Sequence, residues 1–152
     1  MTAQNRLLLS ARCLTAGGAF LAAAAVFHFF AAHHIAPILR RAVDAKAFAF
    51  LEPIVSFTFL LNAVLLLPLS FTTLYGAAGV RRGERWAWRI SIANALTVVA
   101  LPCLLLYSMG LGYFADAPLF LAGALSITAA GLLMLLPLVR ARRDIFATGL
   151  KA

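Results

Sequence analysis

Acidic residues are scarce in this 152-residue chain, which contains 5 Asp and Glu residues against 13 Lys and Arg residues. Charged residues make up 12% of the chain and hydrophobic residues 64%. Soluble domains carry about 25% charged residues, so this composition excludes an ordinary soluble protein and predicts a membrane protein. The formal net charge of +8 does not indicate nucleic acid binding, because the basic residues lie in short clusters between apolar segments.

Cysteine is also rare, with Cys13 and Cys103 as the two thiols of the chain. In the helices predicted below, Cys13 lies at one membrane surface and Cys103 about 24 Å along its helix from that same surface, so the pair is too far apart for a disulfide. The sequence has none of the short motifs typical of serine hydrolases, zinc proteases, P-loop proteins or dinucleotide-binding enzymes. These absences favour a protein without catalytic activity of its own.

Four apolar segments are long enough to cross a bilayer, whose ~30 Å hydrocarbon core requires about 20 residues of α-helix. They occupy approximately residues 13–35, 53–75, 87–109 and 117–139. We therefore predict an all-α fold, a membrane four-helix bundle that forms a single domain over residues 1–152. A cleaved signal peptide is the alternative interpretation of the first segment, but that segment is long enough to span the membrane.

Basic residues are distributed unequally between the connections of these segments. The N-terminus, the second connection and the C-terminus contain ten Lys and Arg residues, whereas the first and third connections contain three. Because cytoplasmic connections are enriched in Lys and Arg, both termini are predicted to be cytoplasmic. The Arg-rich, Lys-poor usage suggests the cytoplasmic (inner) membrane of a bacterium, and the basic clusters are expected to contact anionic lipid headgroups on the cytoplasmic side.

The connection at residues 37–51 is expected to form a short amphipathic helix on the outward-facing side of the membrane. Pro37 suits the first turn of a helix, and Pro53 disfavours helical geometry in the residue before it. The charged candidates in this helix or directly after it are Arg40, Arg41, Asp44 and Glu52. An interfacial helix is one interpretation, and a lid over an outward-facing cavity is the functional alternative.

All three histidines of the chain, His28, His33 and His34, lie in the stretch FHFFAAHHIA. His28 lies about 8 Å deeper in the membrane than the other two, and a polar residue at that depth suggests a ligand or proton site. One straight helix cannot direct all three side chains at one ion. No cofactor is therefore predicted, although metal ligation by these histidines, or haem ligation between two subunits or by His28 with Met109, stays an alternative.

Two asparagines are predicted to lie inside the membrane, Asn62 in the second segment and Asn94 in the third. An amide without a partner in lipid costs several kcal/mol, so both should face the bundle and pair with another helix. Tyr107 and Met109 lie in the third segment at a depth comparable to that of His28. A small polar ligand site would draw its residues from His28, Asn62, Asn94, Tyr107, Met109, Arg40, Arg41, Asp44 and Glu52.

These features lead to three functional hypotheses. The first is a non-catalytic accessory or interaction subunit, which binds a membrane-protein partner or a second copy of the chain. The second is a binder or transporter of a small ligand or lipid, with a polar site that opens to the outside. The third is a membrane oxidoreductase that uses haem or quinone.

Overall fold

The computed structural model describes residues 2–116 and 118–147, with the side chains of residues 111 and 113–120 excluded. These residues form α1 (Ala3–Ala42), α2 (Ala45–Arg81), α3 (Arg85–Asp116) and α4 (Pro118–Ala147). All four helices contain a stretch that is long and apolar enough to cross a membrane. The prediction of an all-helical protein with four membrane-spanning segments is confirmed at this level. Residue 117, where the fourth predicted segment begins, and residues 1 and 148–152 of the predicted domain lie outside the described residues.

The connection between α1 and α2 differs from the separate helix expected at residues 37–51. α1 continues through Pro37 to Ala42, and α2 begins at Ala45. A proline removes one backbone hydrogen bond, but helices of membrane proteins tolerate it where neighbouring groups compensate. The prediction of an independent surface helix is therefore wrong, because proline was interpreted as a helix start at a position where α1 continues.

Asp44 is the residue that separates the two helices. Its Oδ1 accepts hydrogen bonds from the backbone amides of Lys46 and Ala47, each at 2.9 Å. The first amides of a helix have no partner within the helix, and a side-chain oxygen at this position satisfies them. Asp44 thus caps α2 and leaves a very short connection after α1.

The helices form two compact units. The terminal unit consists of Met1–Gly18 and Thr72–Ala152, and therefore contains the start of α1, the end of α2, α3 and α4. The hairpin unit consists of Ala19–Phe71, and contains the rest of α1 and the first part of α2.

The core of the terminal unit lies where the start of α1 and the end of α4 pack with α2 and α3. Its fully buried side chains include Leu14, Val80, Val98, Met134 and Leu138. Close approach of α3 and α4 depends on a glycine, since a Cβ atom built at Gly131 would lie 2.7 Å from Val99 Cγ2. Small residues of this kind let helices pack closely in lipid.

Among the described side chains, burial in the terminal unit decreases toward Gly110 of α3 and toward Leu121 of α4. Residues 103–110 of α3 are all exposed, and in α4 the residues from 121 to 129 are exposed or half-buried. Gly110 also interrupts α3 with a φ of 74° and a ψ of 164°, a conformation that favours glycine. Among the described residues, the stretch of α3 that is long and apolar enough to cross a membrane is Arg85–Gly110, which overlaps the predicted third segment.

The hairpin unit has few buried residues. Of residues 19–71, all of which are described, the buried ones are Leu21, Ala25, Ala63 and Ser70. Its exposed phenylalanines are Phe20, Phe27, Phe29, Phe30, Phe50, Phe57 and Phe71. The apolar surface of this unit is therefore available to lipid or to another protein.

Candidate functional site

His28 lies on α1 in the hairpin unit, where its ring packs against aromatic side chains. The ring centroid lies 5.4 Å from that of Phe59 on α2 and 5.8 Å from that of Phe27. The Nδ1 atom of His28 is buried and has no hydrogen-bond partner among the described residues. Buried polar atoms are normally paired, because an unpaired one loses its hydration without compensation. His28 therefore carries a buried polar atom that lacks a hydrogen-bond partner among the described residues.

The other two histidines are arranged differently. Their Nδ1 atoms lie 2.9 Å from the carbonyl oxygens of Phe29 and Phe30, one helical turn earlier, and both side chains are exposed. A carbonyl oxygen only accepts, so His33 and His34 donate from Nδ1 and present Nε2 outward. Among the described residues, no group of three or more His, Cys, Asp or Glu side chains could hold a metal ion. The three histidines thus do not converge on one site.

Three of the four charged candidates near the α1–α2 connection form local contacts. The Arg40 guanidinium lies 5.0 Å from the centre of the Phe48 ring, a cation–π contact. Asp44 caps α2, and the Glu52 carboxylate accepts a hydrogen bond of 3.3 Å from Ser56 Oγ. Arg41 is exposed. These contacts lie within α2 or between α1 and α2, and the structure does not gather the four residues around a common ligand position.

Asn94 faces another helix, as expected. Its Nδ2 atom donates hydrogen bonds to Thr72 Oγ1 at 2.9 Å and Thr73 Oγ1 at 3.1 Å, both on α2 within the terminal unit. Thr73 is completely buried. The amide of Asn94 is therefore used to join α3 to α2.

Asn62 does not face the bundle, and that expectation is wrong. Its side chain is exposed, and it forms no hydrogen bond with any residue that the structure describes. The adjacent Ala63 is 3% exposed and occupies the packed side of α2 instead. A small side chain permits closer helix packing than an amide does, which explains why the packed face of the helix is the one that carries alanine.

Tyr107 and Met109 lie near the unpacked end of α3. Tyr107 is 91% exposed and Met109 is 39% exposed. Among the described residues, the structure brings neither side chain together with His28 or Asn94 in a hydrogen bond or ring contact.

One group of polar contacts was not predicted, because the basic residues near both termini were expected to set the orientation and to contact lipid headgroups but not to pair with other helices. Arg6 Nε and Nη2 donate to the two carboxylate oxygens of Asp144, both at 2.7 Å. Trp88 Nε1 donates to the Leu138 carbonyl at 2.9 Å, and Ser10 Oγ donates to the Pro137 carbonyl at 3.0 Å. The signal in the sequence was Asp144, an acid within the basic C-terminal cluster. These bonds attach the end of α4 to α1 and α3.

Comparisons of the chain with models of protein families, with curated proteins and with solved structures find no match. Its function must therefore be inferred from its own residues and their geometry.

Proposed function

We propose that the protein is a non-catalytic accessory or interaction subunit of a bacterial cytoplasmic (inner) membrane, with both termini in the cytoplasm. Ten of its 13 Lys and Arg residues would then lie on the cytoplasmic side, which agrees with the usual charge bias. Reporter fusions should be active in the cytoplasm at both termini, and activity outside the membrane at either terminus would contradict this orientation.

The exposed Asn62 is the observation that supports an interaction subunit. Other polar side chains on exposed helix surfaces, such as Thr58 and Ser108, donate to the carbonyl four residues earlier at 2.8 Å and 2.7 Å. Asn62 has no such bond with the described residues, although it lies between apolar residues of a membrane-spanning helix. An unpaired amide in lipid is costly, so a helix from another protein or from a second copy of the chain is its expected partner.

The apolar surface around this position suits the same role. Leu65, three residues after Asn62 and on the same side of α2, is 59% exposed, and Leu61, directly before Asn62, is 43% exposed. Lipid alone would satisfy these apolar side chains, but it cannot satisfy the amide. The combination favours a protein partner over a purely lipid-facing surface.

Purification in mild detergent, followed by mass spectrometry and measurement of the particle mass, tests this function. The wild type should carry a partner protein in fixed ratio or behave as an oligomer, and Asn62→Leu should lose that association while it keeps its thermal stability. Leu67→Ala, on the same helix and also exposed, is the matched control and should keep the association. A wild-type monomer without a stoichiometric partner would contradict the proposal.

A second candidate function, binding of a small polar ligand, is favoured by the buried and unpaired Nδ1 of His28. Single variants His28→Ala, His33→Ala and His34→Ala should then differ, because His33 and His34 already use their Nδ1 atoms. The His28 variant should lose a co-purified small molecule that the other two retain. Equal ligand content in all three variants would remove this candidate.

A further inference from the structure

The start of α1 and the end of α4 form a surface cleft of about 390 Å³ in the terminal unit. Its lining residues are Arg6, Val139, Arg140, Arg143 and Asp144. The bidentate ion pair between Arg6 and Asp144 neutralises one positive and one negative charge of this cleft. The remaining charge comes from Arg140 and Arg143, so the cleft attracts anions.

Arg140 and Arg143 are suited to bind one anion together. They are three residues apart on α4, a spacing that places them on the same side of a helix. Both side chains are exposed, and neither forms a hydrogen bond or an ion pair with a residue that the structure describes. A guanidinium group binds a carboxylate or a phosphate through two parallel hydrogen bonds, and a phosphate has enough oxygens to bind both arginines at once.

The apolar wall of the cleft indicates where that phosphate comes from. Val139 is the last residue of the apolar run in α4 before the basic cluster, and its side chain is 55% exposed. The cleft thus lies where the membrane-spanning surface of α4 meets its charged end, which is the depth of lipid headgroups. A lipid would place its phosphate on the arginines and its glycerol and first chain carbons along Val139.

We propose that this cleft binds the phosphate of an anionic lipid headgroup, with Arg140 and Arg143 as the ligands and the Arg6–Asp144 ion pair as the support that fixes the two helix ends. A free phosphate ion would use the same arginines but would gain nothing from Val139. The inference depends on the membrane location of the helices and not on the accessory role proposed above.

Thermal unfolding of the full chain in micelles of a non-ionic detergent without phosphate, with phosphatidylglycerol added in steps, measures this binding. Phosphatidylglycerol should stabilise the wild type, and the double variant Arg140→Gln with Arg143→Gln should need about ten times more lipid for half of the effect, equivalent to about 1.4 kcal/mol. Arg142→Gln is the matched control, because Arg142 is exposed on the same helix turn and does not line the cleft. It should respond to the lipid as the wild type does.

Two further measurements separate the remaining possibilities. Arg143→Lys keeps the charge but loses the planar fork, so it should weaken the lipid effect less than the double glutamine variant. Inorganic phosphate without anionic lipid should give little stabilisation. Equal lipid response in the wild type and the double variant, equal weakening by Arg142→Gln, or full stabilisation by inorganic phosphate would each overturn the lipid site.

Discussion

The terminal unit and the hairpin unit both contain long apolar helical stretches, but they differ in how these stretches pack. Leu14, Val80, Met134 and Leu138 are completely buried in the terminal unit. In the hairpin unit, most apolar side chains stay on the surface. Residues 19–71 contain nine of the 12 phenylalanines of the chain and none of its 10 glycines.

This difference shows that hydropathy determines which segments span the membrane but does not determine which ones pack tightly. Helices in lipid gain no hydrophobic free energy from contact with each other, so they associate where small residues allow close approach and where polar groups can pair. The terminal unit has both features, in Gly131 against Val99 and in Asn94 against the α2 threonines. The hairpin unit lacks glycine and carries an unpaired asparagine.

The largest expected effect tests the glycine contact of the terminal unit. A Cβ atom at Gly131 would meet the Val99 side chain at 2.7 Å and the Val99 backbone nitrogen at 3.1 Å, and the backbone cannot move aside easily. Gly131→Leu should therefore destabilise the protein by about 2 to 3 kcal/mol. Gly123→Leu, on the same helix with no atom within 4 Å of its added Cβ, should change the thermal midpoint in detergent little. Similar losses in both variants would contradict the packing explanation, because a change from Gly to Leu raises helix propensity and cannot by itself destabilise a helix.

The ion pair that joins the two ends of the terminal unit should have the next largest effect. Asp144→Ala removes both hydrogen bonds to Arg6. The described residues of the hairpin unit contain no comparable ion pair. A double-mutant cycle with Arg6→Gln in detergent should show that the two changes are not additive, because either one already breaks the pair. Strictly additive changes in the unfolding midpoint would show that the pair does not couple α1 to α4.

The two asparagines provide the most direct comparison of the units. Asn94→Leu should lower the free energy of unfolding by about 1 kcal/mol, because it removes two hydrogen bonds between α3 and α2. The same change at Asn62 should have almost no effect on the isolated chain, since Asn62 has no partner among the described residues. Thermal melts of the two variants in one detergent decide this, and a greater loss for Asn62→Leu would reverse the assignment of their environments.

The smallest expected effect concerns the exposed ion pair in the α2–α3 connection. The hydrogen bond and the charge of Arg82 hold the pKa of Glu84 below its ordinary value of 4.5. A carboxylate whose pKa is lower in the folded than in the unfolded protein stabilises the fold at pH values above the unfolded-state pKa. That stabilisation is lost as the pH falls through the folded-state pKa. The wild type should therefore be slightly more stable against unfolding than Glu84→Gln at pH 7. This difference in stability should disappear as the pH falls well below 4.5. A difference that is constant over this range would exclude the ionised pair as its source.

The four spanning helices could be predicted because about 20 consecutive apolar residues have few other uses in a protein. The orientation of individual side chains could not, because the apolar residues in these helices surround the whole helix and leave no distinct face. Asn62 and Asn94 look alike in sequence, yet only Asn94 lies beside a hydroxyl partner. The pairing of Arg6 with Asp144 was equally inaccessible, because the two residues are 138 positions apart.

The length of α1 and α2 was underestimated for a related reason. Pro37 is acceptable both at the first turn of a new helix and, in a membrane protein, inside a continuous one, and the sequence signals favour the first. The boundary between the two helices is set by Asp44, whose side chain caps α2. The sequence signals indicated Asp44 only as a charged residue on the surface of a helix.

Asp44 also determines how the chain can move at this connection. Because α1 ends at Ala42 and α2 begins at Ala45, the segment at residues 37–51 is divided between two long helices. It has no flexible hinge at either end that would let it move as one unit. Any opening would have to bend a helix, and Pro37 and Pro53, which each lack a backbone donor, are the weakest points for such bending. Residues 37–51 therefore do not form a separate segment that could move as a lid, and opening on this side of the hairpin unit would require the two long helices to bend.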